Sequence, residues 1–165
     1  NITFPWYGNA GWDRGNLSSV KPKKKLKLAE QDVLYDGRIN FINSFGKEGD
    51  RIWGDKNLQI TEGIMNRISK RRLMLRIKKL CQNACIGLLF NPNDGTVGKS
   101  FEKTISPILD NIKSNKGIVG YKIEVDDSVE ARERLELPVK IHIKPTNLTE
   151  YIYIDAIITP QSVVW

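Results

Sequence analysis

The sequence predicts an α+β domain, with two main helices packed on a mixed, largely antiparallel sheet. Two stretches, 64–88 and 97–112, repeat apolar residues at helical spacing. The last third instead alternates apolar with polar residues, or runs β-branched and aromatic residues, over short segments. At 165 residues and 40% hydrophobic content, one domain can bury a sizeable core. The longest apolar runs, such as IGLLF, are far too short to span a membrane. The expected organisation is an irregular and strand-forming entry segment over 1–60, then a helix–helix–sheet core with a C-terminal arm over 61–165. The chain begins without an initiator Met or a basic, apolar leader, so it is expected to be a fragment or a processed product.

Residues 1–20 are rich in Gly, Asn and Ser with Trp6, Tyr7 and Trp12 interspersed, which predicts an irregular segment pinned by aromatics. Lys21–Lys27 is a lysine run partly offset by Glu30 and Asp32 and reads as solvated surface. LAEQDVLYDGRI predicts a short helix that stops at Asp36-Gly37. INFINSF predicts a strand, and Arg51-Ile52-Trp53 a short extended piece inside a loop.

The organising stretch is Ile64–Leu88. Leu73, Ile77, Leu80, Cys81, Ala84 and Leu88 fall on one stripe, while Arg71, Arg72, Lys78, Lys79 and Gln82 fall opposite. Ile64 and Ile68 miss the stripe, so the helix starts nearer Ser69 or its first turns meet a second surface. CIGLLF (Cys85–Phe90) reads as a buried strand closed by the turn Asn91-Pro92-Asn93-Asp94-Gly95. A second helix places Val97, Phe101, Ile105, Ile108, Leu109 and Ile112 inward and Lys99, Lys103, Ser106 and Asp110 outward. Pro107 should kink or split it, and Lys116-Gly117 should close it. Strands are predicted at Ile118–Val125, Val139–Lys144 and Tyr151–Thr159, followed by an apolar tail to Trp165.

Residues 64–80 hold seven Lys and Arg and no acid; the remainder of the chain carries nineteen cations against nineteen acids. The whole formal excess of +7 therefore sits on one element. It is either a solvated helix face or a docking surface for something anionic.

Nothing in the sequence supports catalysis or metal binding. Its single His, His142, falls on the polar side of a strand with no Ser, Cys or acid pattern around it. Gly95-Thr-Val-Gly-Lys-Ser100 lacks the spacing of a phosphate-binding loop, and Asp126-Asp127 is too little for a calcium loop. Cys81 and Cys85, four apart, read as small buried hydrophobes in a reducing compartment.

Six stretches occur in order: PWYGNAGWDRG, LYDGRINFINSFGKEGDRIWGDKNL, NRISKRRLMLRIKKL, LLFNPNDGTVGKSF, GYKIEVDD and KIHIKPTNLTEYIYI. Together they resemble the C-terminal conserved region of contractile phage tail sheath proteins, over nearly the whole chain. Two details differ: Asn91 stands where the family's F-E-P-N-D turn is acidic, and Arg51-Ile52 precedes Trp53.

The resemblance implies a non-enzymatic structural polymer, without cofactor or metal, forming part of a larger multidomain subunit. Such subunits build helical homopolymers of stacked hexameric rings around an inner tail tube, and shorten to drive the tube through the host envelope. The implied partners are further copies of itself, the inner tail tube protein, and baseplate and tail terminator proteins. The implied location is the virion tail, after assembly in the host cytoplasm. No membrane or specific nucleic acid is implied. The tube-contacting positions it implies are Lys99 and Lys103, with Arg71 and Lys78 as a second candidate side. Inter-subunit strand pairing is implied for Tyr151, Ile152, Tyr153, Ile154, Val163 and Val164. The rival from another class is a nucleic-acid-binding module, suggested by the basic helix and a pI of about 9.4.

Overall fold

The computed structural model describes residues 4–92, 95–150 and 152. The element order is β1 (Asn16–Leu17), α1 (Leu28–Asp36), β2 (Phe41–Ser44), β3 (Asp50–Trp53), α2 (Ile68–Ile86), α3 (Val97–Ser114), β4 (Ile118–Val125), α4 (Val129–Glu133) and β5 (Val139–Pro145). The fold is α+β, as the sequence predicts. Its described strands form two separate antiparallel sheets. One is three-stranded with order β1-β3-β2, and the other is the hairpin β4-β5.

The core lies where α2 and α3 meet the hairpin. Leu73 and Ile77 from α2, Phe101, Ile105, Leu109 and Ile112 from α3, and Ile118 and Trp6 form one buried cluster. The inner face of the hairpin, including Tyr121, Ile123, Ile141 and Ile143, packs against it. Each fully buried Leu or Ile contributes roughly 1.5–3 kcal/mol relative to leaving it in water. Both helical stripes read from the sequence face this cluster, including Leu80, Cys81 and Ala84 at the far end of α2 and Leu88 in the turn that follows.

α2 starts at Ile68, the later of the two expected starts. Its N-cap residue, Arg67, supplies no capping side chain. Asp55 does so from a distance, its Oδ2 accepting hydrogen bonds from the backbone N–H and the hydroxyl of Ser69. That carboxylate also sits favourably at the positive end of the helix dipole.

The structure corrects or extends the sequence reading at four places. CIGLLF is not a strand: α2 runs on to Ile86, and Gly87–Phe90 is a turn. The helical stripe keeps Ala84, Cys85 and Leu88 against the core, so continuing the helix buries more than a strand without a neighbour could. The segment 1–20 is pinned by aromatics but also contains β1, which extends the β2-β3 pair. Residues 129–133, for which the sequence names no element, form α4, with Ser128 as N-cap accepting from the Ala131 N–H at 3.3 Å. Of the kink or split expected at Pro107, the split does not occur: α3 runs unbroken from Val97 to Ser114. Pro107 lies on the exposed side of the helix, where the carbonyl its ring leaves without an N–H partner, that of Lys103, belongs to an exposed residue.

Two other features fix the frame. Trp6 donates its indole N–H to the Asn115 carbonyl at 2.9 Å, clipping the entry segment onto the end of α3. Arg51, buried in the small sheet, stacks over Trp12 at 4.1 Å and donates to the carbonyls of Trp12 and Glu48.

Candidate functional site

Lys99 and Lys103 lie one turn apart on the exposed side of α3, and neither has an ion-pair partner among the described residues. Gly98 sets this face outward. A Cβ there would come within 3.0 Å of Val125 Cγ1, so the backbone packs directly on β4 and the next residue projects away. Two acids on α3, Glu102 and Asp110, behave differently from one another. Glu102 is exposed, whereas Asp110 accepts a hydrogen bond from the Tyr121 hydroxyl at 2.9 Å. Burial and that bond both raise the Tyr121 phenol above its ordinary value.

The seven cations of 64–80 divide into two groups. Arg67 donates through Nε and Nη2 to Glu150, the latter at 2.8 Å. Lys70 donates to Asn147 Oδ1 and Arg72 to Asn9 Oδ1, both at 2.7 Å. Arg71, Arg76, Lys78 and Lys79 are exposed and have no hydrogen-bond or ion-pair partner among the described residues. No acid lies in the first turn of α2. Cations there oppose the helix dipole, and like charges at i,i+4, such as Arg67 with Arg71 or Arg72 with Arg76, cost about 0.2–0.5 kcal/mol each. This charge does not help α2 to form.

The root of the C-terminal segment is tied down by the other group. Glu150 accepts from Arg67 and also from the Tyr35 hydroxyl. Burial works to raise the Glu150 carboxyl, but the bonds from Arg67 and Tyr35 outweigh it and hold it below its ordinary value. Neighbouring Asp55 is raised, because burial outweighs its bonds to Ser69. Ile152 follows, 79% exposed, on the rim of a groove of about 530 Å³ lined by Leu28, Tyr35, Phe41, Trp53 and Leu148. The strand-pairing positions Tyr151, Tyr153, Ile154, Val163 and Val164 lie outside the described residues, as do Asn93 and Asp94 of the expected turn. Ile152 itself is not in a strand.

The Glu150 tie has no signal in sequence, because its partner lies 83 residues away. α4 was legible in principle, since Ser128-Val-Glu-Ala is an N-cap followed by helix formers. Elsewhere the chemistry is that of surfaces. His142 is exposed on β5 and lies 3.3 Å from Glu124 on β4. Burial raises both thiols, Cys81 and Cys85, above their ordinary value, so they are poor thiolates. Among the described residues there is no metal-holding group of three His, Cys, Asp or Glu, and no helix is long and apolar enough to cross a membrane.

No family model matches the chain. Over 162 residues it is 28% identical to the tail sheath protein of Vibrio phage KVP40, covering 96% of this chain and 24% of that protein. Over 163 residues it is 26% identical to the tail sheath protein of Enterobacteria phage T4, covering 96% of this chain and 25% of that one. The chain thus spans about a quarter of the length of these curated relatives. Among solved structures, it matches the helical sheath of the anti-feeding prophage in its contracted state with a TM-score of 0.81 and 18% identity, covering 94% of this chain and 46% of that one. It matches the contracted sheath complex of an extracellular contractile injection system with a TM-score of 0.82 and 21% identity, covering 96% and 46%. At these identities the structural likeness is one of fold. The resemblance to tail sheath proteins read from the sequence is borne out over nearly the whole chain.

Proposed function

We propose that this chain is the conserved C-terminal part of a contractile tail sheath subunit, a structural and non-enzymatic protein that polymerises helically around an inner tube. The observation that carries the reading is the coincidence of two independent likenesses over the same 94–96% of the chain: one to curated tail sheath proteins in sequence, one to contracted sheaths in fold. Nothing comparable supports a nucleic-acid-binding module.

In this reading Lys99 and Lys103 grip the inner tube protein, in preference to the Arg71 and Lys78 side of α2. Exposed ion pairs are worth only about 0–1 kcal/mol each and are screened by salt. Contacts of that size, repeated along a tube, hold a sheath in register yet release it when the sheath shortens. Links between copies must outlast the same event. The segment from Tyr151 onward supplies them by adding a strand to a neighbour's sheet, where backbone hydrogen bonds carry the load. Baseplate and terminator proteins bound the polymer at its ends, in a virion tail assembled in the host cytoplasm.

Electron microscopy of the intact gene product tests the reading: hollow striated tubes are expected, and a product that stays dispersed would overturn it. Reversing both lysines (Lys99→Glu, Lys103→Glu) should leave empty sheaths forming while abolishing their assembly on tubes. Normal decoration of tubes by that variant would remove the tube assignment.

A further inference from the structure

We propose that the acidic end of the domain, formed by α4, docks on the cationic outer face of α2 in a second copy of this chain. The inference rests on the sheath reading and deepens it by assigning one contact between copies.

The α2 face comes first. Arg71, Arg76, Lys78 and Lys79 have no partner within the described residues, and their mutual repulsion works against the helix that carries them. Leu75, exposed, lies one turn from Arg71 and one turn from Lys79, so the cations flank an apolar spot. A face of this make-up calls for a partner that is acidic and partly apolar.

The connection between β4 and β5 has that make-up. Of its acids, Asp127 pairs with Arg132 at 2.9 Å and Glu136 with Arg134 at 3.1 Å. Glu130 and Glu133, three apart on α4, are exposed and have no partner among the described residues. Beside them Val129 is exposed, and Leu135 is 89% exposed with φ +57°. That left-handed turn closes α4, with the Leu135 N–H bonded to the Arg132 carbonyl at 2.9 Å and the Glu136 N–H to the Ala131 carbonyl at 3.0 Å, and it leaves a leucine where glycine fits more easily, its side chain in solvent. An exposed apolar residue beside carboxylates that have no partner among the described residues complements the make-up of the α2 face.

Other acids fit less well. Asp32 and Asp36 on α1 follow the lysine run 21–27, whose charge would repel α2. The two patches differ in sign, share one plan and belong to different elements, so their pairing is heterologous. Repeated contacts of that type build open helical arrays instead of closed dimers. Complementary charge fixes the register of such a contact more than it adds affinity.

The test uses the full-length gene product and reads the critical concentration for polymerisation by sedimentation, with microscopy of the pellets. Lys78→Glu with Lys79→Glu, and separately Glu130→Lys with Glu133→Lys, should each raise it about tenfold or more through like-charge contact. Combining all four should restore it to near the wild-type value. If either pair polymerises like wild type, or the combination does no better than the pairs, the contact is not made and the sheath reading stands without it. A wild-type product that forms no polymer would overturn both. Leu135→Gly separates folding from assembly. It relieves the left-handed strain, so the thermal midpoint should rise while the critical concentration also rises; unchanged polymerisation would exclude Leu135 from the contact.

Discussion

Gly117 shows how a residue identity is fixed by what lies beside it. A Cβ at this position would sit 2.7 Å from Ile112 Cγ2 and 2.9 Å from Trp6 Cε2, in the seam that joins the entry segment to α3. Gly117→Ala is therefore expected to destabilise by about 1–3 kcal/mol, the usual range for overpacking, as measured by denaturant unfolding. Lys116, with φ +57°, occupies the left-handed position past the end of α3. The sequence pointed to Lys116-Gly117 as the stop, but the roles are exchanged: the lysine bends the chain and the glycine makes room. Glu150 gives a pH prediction. Its carboxyl is held below the ordinary 4.5, so the stability it contributes is present above that value and is lost as pH falls through the lower folded value. Glu150→Gln should cost about 1 kcal/mol or less near neutrality, given partial exposure of the pair. It should also flatten the fall of the thermal midpoint with pH below about 4.5. An unchanged acid limb would show that the tie to Arg67 and Tyr35 does not form.

At the scale of elements, α2 balances a well-buried inner stripe against a self-repelling outer face. Arg76 lies four residues after Arg72 and three before Lys79, so Arg76→Glu replaces two repulsions with two attractions. The isolated domain should gain about 0.5 kcal/mol, with a thermal midpoint up by ~1–2 °C. Raising salt should stabilise the unmodified domain for the same reason, by screening that repulsion. A loss of stability in either experiment would mean that the outer face already has partners within the chain. The alternation of β5 was legible residue by residue, and the structure keeps it: positions 139, 141, 143 and 145 are half-buried and those between are exposed.

For the whole molecule, the architecture leaves its charge and part of its apolar surface for others to use. α2 and α3 close the core with their inner faces, and their outer faces carry cations with no partner among the described residues. If the C-terminal arm links copies, deleting residues 160–165 should abolish polymerisation while leaving the thermal midpoint of the domain within about 1 °C. Unchanged polymer yield from the truncated product would remove the arm from the mechanism.

The sequence by itself determined the class of the fold, the inner stripe of each long helix, the hairpin strands, the placement of the charge excess and the family resemblance. All of these depend on local spacing, and helical and strand periods are written in the order of residues. Only the tertiary structure decided that α2 continues through Cys85, that the described strands divide into two sheets, and that Arg67, Lys70 and Arg72 are spent internally while four neighbouring cations have no partner among the described residues. Those outcomes depend on partners such as Glu150, Asn147 and Asn9, which lie 83, 77 and 63 residues away. Spacing along a chain shows which side of a helix a charge occupies, but whether the charge is satisfied depends on what the fold brings alongside it.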